Sequence, residues 1–78
     1  MNKEQIFEKF KDVLVSLGFD SVFLNRKFKD DLGVDSLDIV EIVMHTESSF
    51  NITIADEELD NIVTVEDAVN VILKHLNL

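Results

Sequence analysis

Cysteine and proline are absent from the chain and glycine occurs only twice. Without cysteine there are no disulfides and no thiolate metal site to staple a small fold. Stability must come from packing, and 46% hydrophobic residues in a chain of 78 supply the means. That length is near the lower end at which one core folds unaided, so a single domain over residues 1–78 is expected. No stretch approaches the roughly 20 apolar residues of a membrane span, and the start, Met1-Asn2-Lys3-Glu4-Gln5, is too polar for a signal-peptide core. A cytoplasmic, monomeric protein without membrane insertion is the expectation.

Basic residues are missing from most of the chain. None occurs from Asp30 to Leu73, a segment that holds 12 of the 16 acidic residues, and the net charge is -9. The remainder carries seven basic against four acidic residues, with Arg26, Lys27 and Lys29 close together. Such a field repels phosphate backbones and attracts basic protein surfaces, which excludes nucleic acid as a partner. A solvated acidic surface kept for solubility is the plain alternative.

What is present is a helical pattern. Ile6, Phe7, Phe10, Val13, Leu14 and Leu17 share one helix face, Asn2 and Gln5 form a cap pair, and Gly18 offers a stop, which predicts a helix over about 3–17. Phe19 to Asp35 has apolar residues without a sustained period and reads as a long ordered loop, ending where Gly33 permits a positive φ and Asp35 can cap a helix. Further helices are expected over 36–50, 56–62 and 64–76, the last opened by a capping box of Thr64 and Asp67. The expected fold is all-α: a small bundle of three longer helices plus one short helix.

The helix over 36–50 has more apolar surface than a core stripe needs. Ile39, Ile42, Val43, Thr46 and Phe50 fill an arc of about 100°, the usual width of a buried face. Leu37, Val40 and Met44 fall on an adjacent arc bordered by Glu41 and Glu47. Either the helix is buried on most sides, or these residues form an exposed apolar patch rimmed by carboxylates, as a docking surface would. Thr46 lies in the core arc, where a hydroxyl that does not bond back to the helix backbone costs on the order of 1 kcal/mol.

Ser36 opens that helix. It is not placed for hydrolysis: His45 is nine residues on, about 13 Å along the axis and on the other side. His75 has no carboxylate at a telling spacing. Ser36 could simply cap the helix; equally, a phosphodiester on its hydroxyl would meet the free N–H groups and positive dipole end of the helix. Asp30 and Asp31 are followed by Leu32-Gly33-Val34, not by the alternating oxygen ligands of a calcium loop, so no dedicated metal site is expected. Loose cation binding to the clustered acids is expected instead. Magnesium should raise the melting temperature more than a monovalent salt of equal ionic strength, and equal effects would mean simple screening.

The run Phe28-Lys29-Asp30-Asp31-Leu32-Gly33-Val34-Asp35-Ser36-Leu37-Asp38-Ile39-Val40-Glu41-Ile42-Val43-Met44 closely resembles the prosthetic-group segment of the acyl carrier proteins of dissociated fatty-acid synthesis. Phe50, Ile54, Asp56-Glu57-Glu58 and Thr64-Val65-Glu66-Asp67-Ala68 extend the likeness. The resemblance implies a non-enzymatic carrier whose Ser36 receives covalent phosphopantetheine from a phosphopantetheinyl transferase that uses coenzyme A and a divalent cation. The thiol of that arm would carry acyl groups as thioesters between acyltransferases and synthesis enzymes. By the same implication Asp35, Asp38, Glu41, Glu47 and Asp56 pair with basic patches on those enzymes, and Leu37, Val40, Met44 and Ile54 dock on apolar ones. Phe28, Ile39, Val43, Phe50, Ile62, Ala68 and Ile72 line a pocket for the acyl chain.

The sequence departs from that family at Ser48 and Ser49, where acid is common, at Ala55 in place of proline, and at His45-Thr46 in place of a more apolar pair. A carrier for a polyketide, aminoacyl or D-alanyl pathway would use the same serine. An unmodified structural adaptor would use only the patch. Asp38, Glu41 and the acids of the third helix favour the fatty-acid type.

Overall fold

A computed structural model of the chain, describing residues 1–76, contains α1 (Lys3–Ser16), α2 (Ser36–Phe50), α3 (Asp56–Leu59) and α4 (Val65–His75). The three long helices each begin at a reciprocal cap. At α1, Gln5 N–H donates to Asn2 Oδ1 and Asn2 N–H to Gln5 Oε1, both at 2.9 Å. At α4, Asp67 N–H donates to Thr64 Oγ1, and Asp67 Oδ2 accepts from the N–H groups of Thr64 and Val63. These bonds satisfy amide groups that a helix start leaves without intrahelical partners. Gly18 follows α1 at φ +98°, a conformation that side-chain-bearing residues rarely adopt. Asn51 ends α2 in the left-handed region.

The expected elements are present, with one helix shortened. The segment expected to be helical over 56–62 is helical only over Asp56–Leu59. Past Leu59 the chain tightens, with Asn61 N–H bonding to Glu58 O and Ile62 N–H to Leu59 O, the three-residue spacing of a turn that closes a helix.

One apolar cluster joins Ile6, Phe10 and Leu14 of α1, Ile42 and Phe50 of α2, and Val65, Val69 and Ile72 of α4. The loop between α1 and α2 adds Val22, Phe28 and Val34 to it. Phe10 and Phe28 meet edge to face, with ring centroids 6.2 Å apart. The loop is tied by backbone as well: Phe28 N–H donates to Val63 O, Val65 N–H to Arg26 O and Glu66 N–H to Leu24 O. Lys27 and Thr64 thus form an isolated antiparallel bridge, a pairing that no alternating pattern announces. Among the described residues no helix is long and apolar enough to cross a membrane.

The caps make stability respond to acid. The N–H groups of Thr64 and Val63 hold the Asp67 carboxyl below its ordinary value of 3.8. The Ala55 N–H, followed by the His75 ring, does the same for Glu58. A carboxyl whose pKa is lower folded than unfolded adds stability at pH values above the unfolded pKa, and that contribution is lost as pH falls through the folded one. Asp67→Asn should therefore be less stable than the parent at neutral pH and lose less of its urea midpoint between neutrality and pH 3. Parallel acid limbs in the two proteins would contradict this.

Candidate functional site

The start of α2 is built by two aspartates. Asp38 N–H donates to Asp35 Oδ1 at 2.9 Å and Asp35 N–H donates to Asp38 Oδ2 at 3.1 Å. Asp35 therefore serves as the cap, and Ser36, the first helical residue, does not. Ser36 is exposed, and its hydroxyl is released from the structural duty that a serine at a helix start usually performs. A phosphate ester requires an accessible hydroxyl with no internal partner to displace, and its charge is favoured beside the free N–H groups of a helix start. The residues present fit such a group.

Beyond Ser36, α2 presents Leu37, Val40 and Met44 at 78%, 57% and 60% exposure. The alternative of a helix buried on most sides is thereby excluded: Ile42, Thr46 and Phe50 face the core, and the second arc faces solvent. Asp35, Glu41 and Asp56 are exposed around it, with Asp38 half-buried. Two residues expected on this surface are placed differently. Glu47 is half-buried and accepts the Ile54 N–H at 2.8 Å, so its carboxylate fixes the α2–α3 connection. Ile54 is half-buried and turned inward.

Beneath the helix lies a cavity of about 530 Å³. Of the residues expected around a pocket, Phe28, Ile39, Val43, Ile62, Ala68 and Ile72 line it. Phe50 does not; it is buried at the far end of α2 with the Lys9 ammonium 5.0 Å from its ring centre. The walls also include Phe10, Val34, Ile42, Ile54 and Leu59. Sequence pattern marks Phe10 and Ile42 as core, but periodicity cannot separate residues that fill a core from those that border a void within it. Lys27, Lys29, Asp30 and Asp60 supply charge to the lining.

Arg26, by contrast, acts locally, in the loop before α2. Its Nε–H donates to Ser21 O and its guanidinium lies 5.4 Å from the Phe23 ring centre. Of the two histidines, His45 is exposed on α2, and His75 Nε2 lies 2.8 Å from Glu58 Oε1, joining α4 to α3. Among the described residues no group of three or more His, Cys, Asp or Glu side chains is arranged to hold a metal ion.

One wall residue is polar, uncharged and buried. Thr46 is 2% exposed and its Oγ1 has no hydrogen-bond partner, so the bond back to the helix backbone that would satisfy it is not made. Thr46→Val keeps the shape and removes the unpaired hydroxyl, which should raise the unfolding free energy by about 1 kcal/mol. A urea midpoint equal to or below that of the parent would contradict the expectation.

Comparison with known proteins places this geometry. A family model described as the phosphopantetheine attachment site matches residues 17–72. The acyl carrier protein of Petrotoga mobilis is 47% identical over 81 aligned residues, covering 100% of this chain and 95% of the relative. That of Clostridium acetobutylicum is 45% identical over 73 residues, covering 90% and 95%. The crystal structure of an acyl carrier protein from Thermotoga maritima matches with a TM-score of 0.82 at 30% identity, covering 99% of this chain and 93% of that one.

Proposed function

Because this chain belongs to the acyl carrier protein family, we propose that it carries acyl groups between the enzymes of fatty-acid synthesis in the cytoplasm, on a phosphopantetheine arm joined to Ser36. The observation that carries the assignment of Ser36 is its release from capping: Asp35 takes that duty, leaving an exposed hydroxyl at the end of a helix whose outer face is apolar. When bound, phosphopantetheine supplies the thiol on which acyl groups are held as thioesters. The protein's own residues do not make or break that bond; they present, steer and shelter.

Presentation is the work of α2. Its N-terminal N–H groups and dipole favour the negative charge of a diester on Ser36 Oγ. Steering is the work of the acidic surface, where the exposed carboxylates of Asp35, Glu41 and Asp56 pair with basic patches on a phosphopantetheinyl transferase, acyltransferases and synthesis enzymes, Asp35 doing so while one of its oxygens caps α2. Leu37, Val40 and Met44 then give the apolar contact, with Met44 adaptable enough to serve several partners. Glu47 and Ile54 contribute indirectly, by holding the segment that leads into α3. Shelter comes from the cavity under α2, whose mostly apolar walls suit a hydrocarbon chain.

The test is intact-mass measurement after incubation with coenzyme A, magnesium and a phosphopantetheinyl transferase. A gain of one phosphopantetheinyl group, followed by acceptance of a malonyl group from a malonyl transferase, is the expected result. No gain would overturn the carrier reading in favour of an unmodified adaptor. Acceptance of an amino acid and refusal of malonate would move the protein to an aminoacyl or D-alanyl pathway.

A further inference from the structure

Of the residues that line the cavity only Thr46 carries a side-chain hydroxyl; its oxygen is buried, and nothing in the described structure pairs with it. Thr46 stands among Phe10, Ile42, Val43, Ala68 and Ile72. A threonine in a helix divides between two χ1 rotamers, because in one of them its hydroxyl can bond the carbonyl a turn earlier. That bond is not made. Rotation about χ1 carries Oγ1 to another staggered position and the methyl group with it, and because the hydroxyl has no protein partner, turning it toward a guest breaks no hydrogen bond.

A saturated chain filling this space leaves the Thr46 hydroxyl as unpaired as before. A chain bearing its own hydroxyl loses water on burial, and against the buried apolar part of the wall, away from the exposed Lys27, Lys29, Asp30 and Asp60, nothing would replace that water. Against Thr46 both groups find a partner, since each hydroxyl can donate and accept. We propose that Thr46 is a specificity-determining residue of the cavity, favouring acyl groups that carry a hydroxyl or keto oxygen over saturated groups of the same length. The inference rests on the carrier reading of Ser36 and goes beyond it to the chemistry of the cargo.

The test loads the phosphopantetheinylated protein with three acyl groups of equal length: saturated, β-hydroxylated and hydroxylated near mid-chain. Hydroxylamine then cleaves the thioester, and slower cleavage reports withdrawal of the chain into the cavity. The ratio of protection, hydroxylated over saturated, is compared in the parent, Thr46→Val and Thr46→Ser, so that any general change in stability cancels within each protein. For at least one hydroxylated group the ratio should fall about threefold to tenfold in Thr46→Val, the factor that one neutral hydrogen bond provides, and remain near the parental value in Thr46→Ser. An unchanged ratio in Thr46→Val for both hydroxylated groups overturns the proposal, as does an equal fall in Thr46→Ser. Intact mass after loading separates these outcomes from failure of the carrier reading, in which no arm is acquired and both ideas fall together.

Discussion

Ser36→Ala is expected to gain no mass in the presence of coenzyme A, magnesium and a phosphopantetheinyl transferase, while its circular dichroism spectrum and melting temperature remain close to those of the parent. The two halves of this result have separate causes. Modification needs the Oγ nucleophile, and alanine has none. Retention of the fold follows from the division of labour at the start of α2, where Asp35 and Asp38 satisfy each other's amide groups. Alanine is the best helix former and Ser36 is exposed, so the change should alter stability by no more than about 0.5 kcal/mol. Persistent mass gain in Ser36→Ala would move the attachment point elsewhere. A collapse of the helical signal would mean that the serine is structural after all.

The second large effect is expected at Phe10. This residue is 2% exposed, packs edge to face on Phe28 and borders the cavity. Truncation of a buried phenylalanine to alanine costs about 3–5 kcal/mol, whereas a domain of this length has about 4–12 kcal/mol in total. Phe10→Ala should therefore lose much of its unfolding free energy and show a correspondingly lower urea midpoint. The loss should sit at the upper end of the range, because removal of the ring merges its volume with a void already present and the site has little to collapse onto. A loss below about 1 kcal/mol would show that the loop carrying Phe28 closes over the gap.

Much of this was legible in the residues themselves. The caps at Asn2, Asp35 and Thr64 are short-range signals, decided within four residues, and they stand where the sequence indicates. Counting angle around α2 set Leu37, Val40 and Met44 on an arc of their own, and of the two readings this left, burial or exposure, the structure shows exposure. What the residues do not disclose is long-range. Glu47 reads as one more surface acid, because its partner, the Ile54 N–H, is a backbone group whose position depends on the path of the following turn. Phe50 and Ile54 depart from their expected environments for the same reason: helical periodicity gives direction from an axis, and the depth at which a void opens is set by how three helices meet. Thr46 is an intermediate case. Its burial was readable from its arc, but the absence of a partner for its hydroxyl depends on a rotamer.

The backbone bonds between residues 24–28 and 63–66 bear on how the cavity comes into being during folding. They close a span of roughly 40 residues, and the entropy of bringing such distant ends together must be spent before any of those contacts gives a return. Helices α1 and α2 carry their own caps, but Phe28, one wall of the cavity, is held both by Phe10 of α1 and by the segment preceding α4, to which its N–H is bonded. The cavity therefore requires this long-range closure, and its wall is complete only with α4 docked, because that helix supplies Ala68 and Ile72.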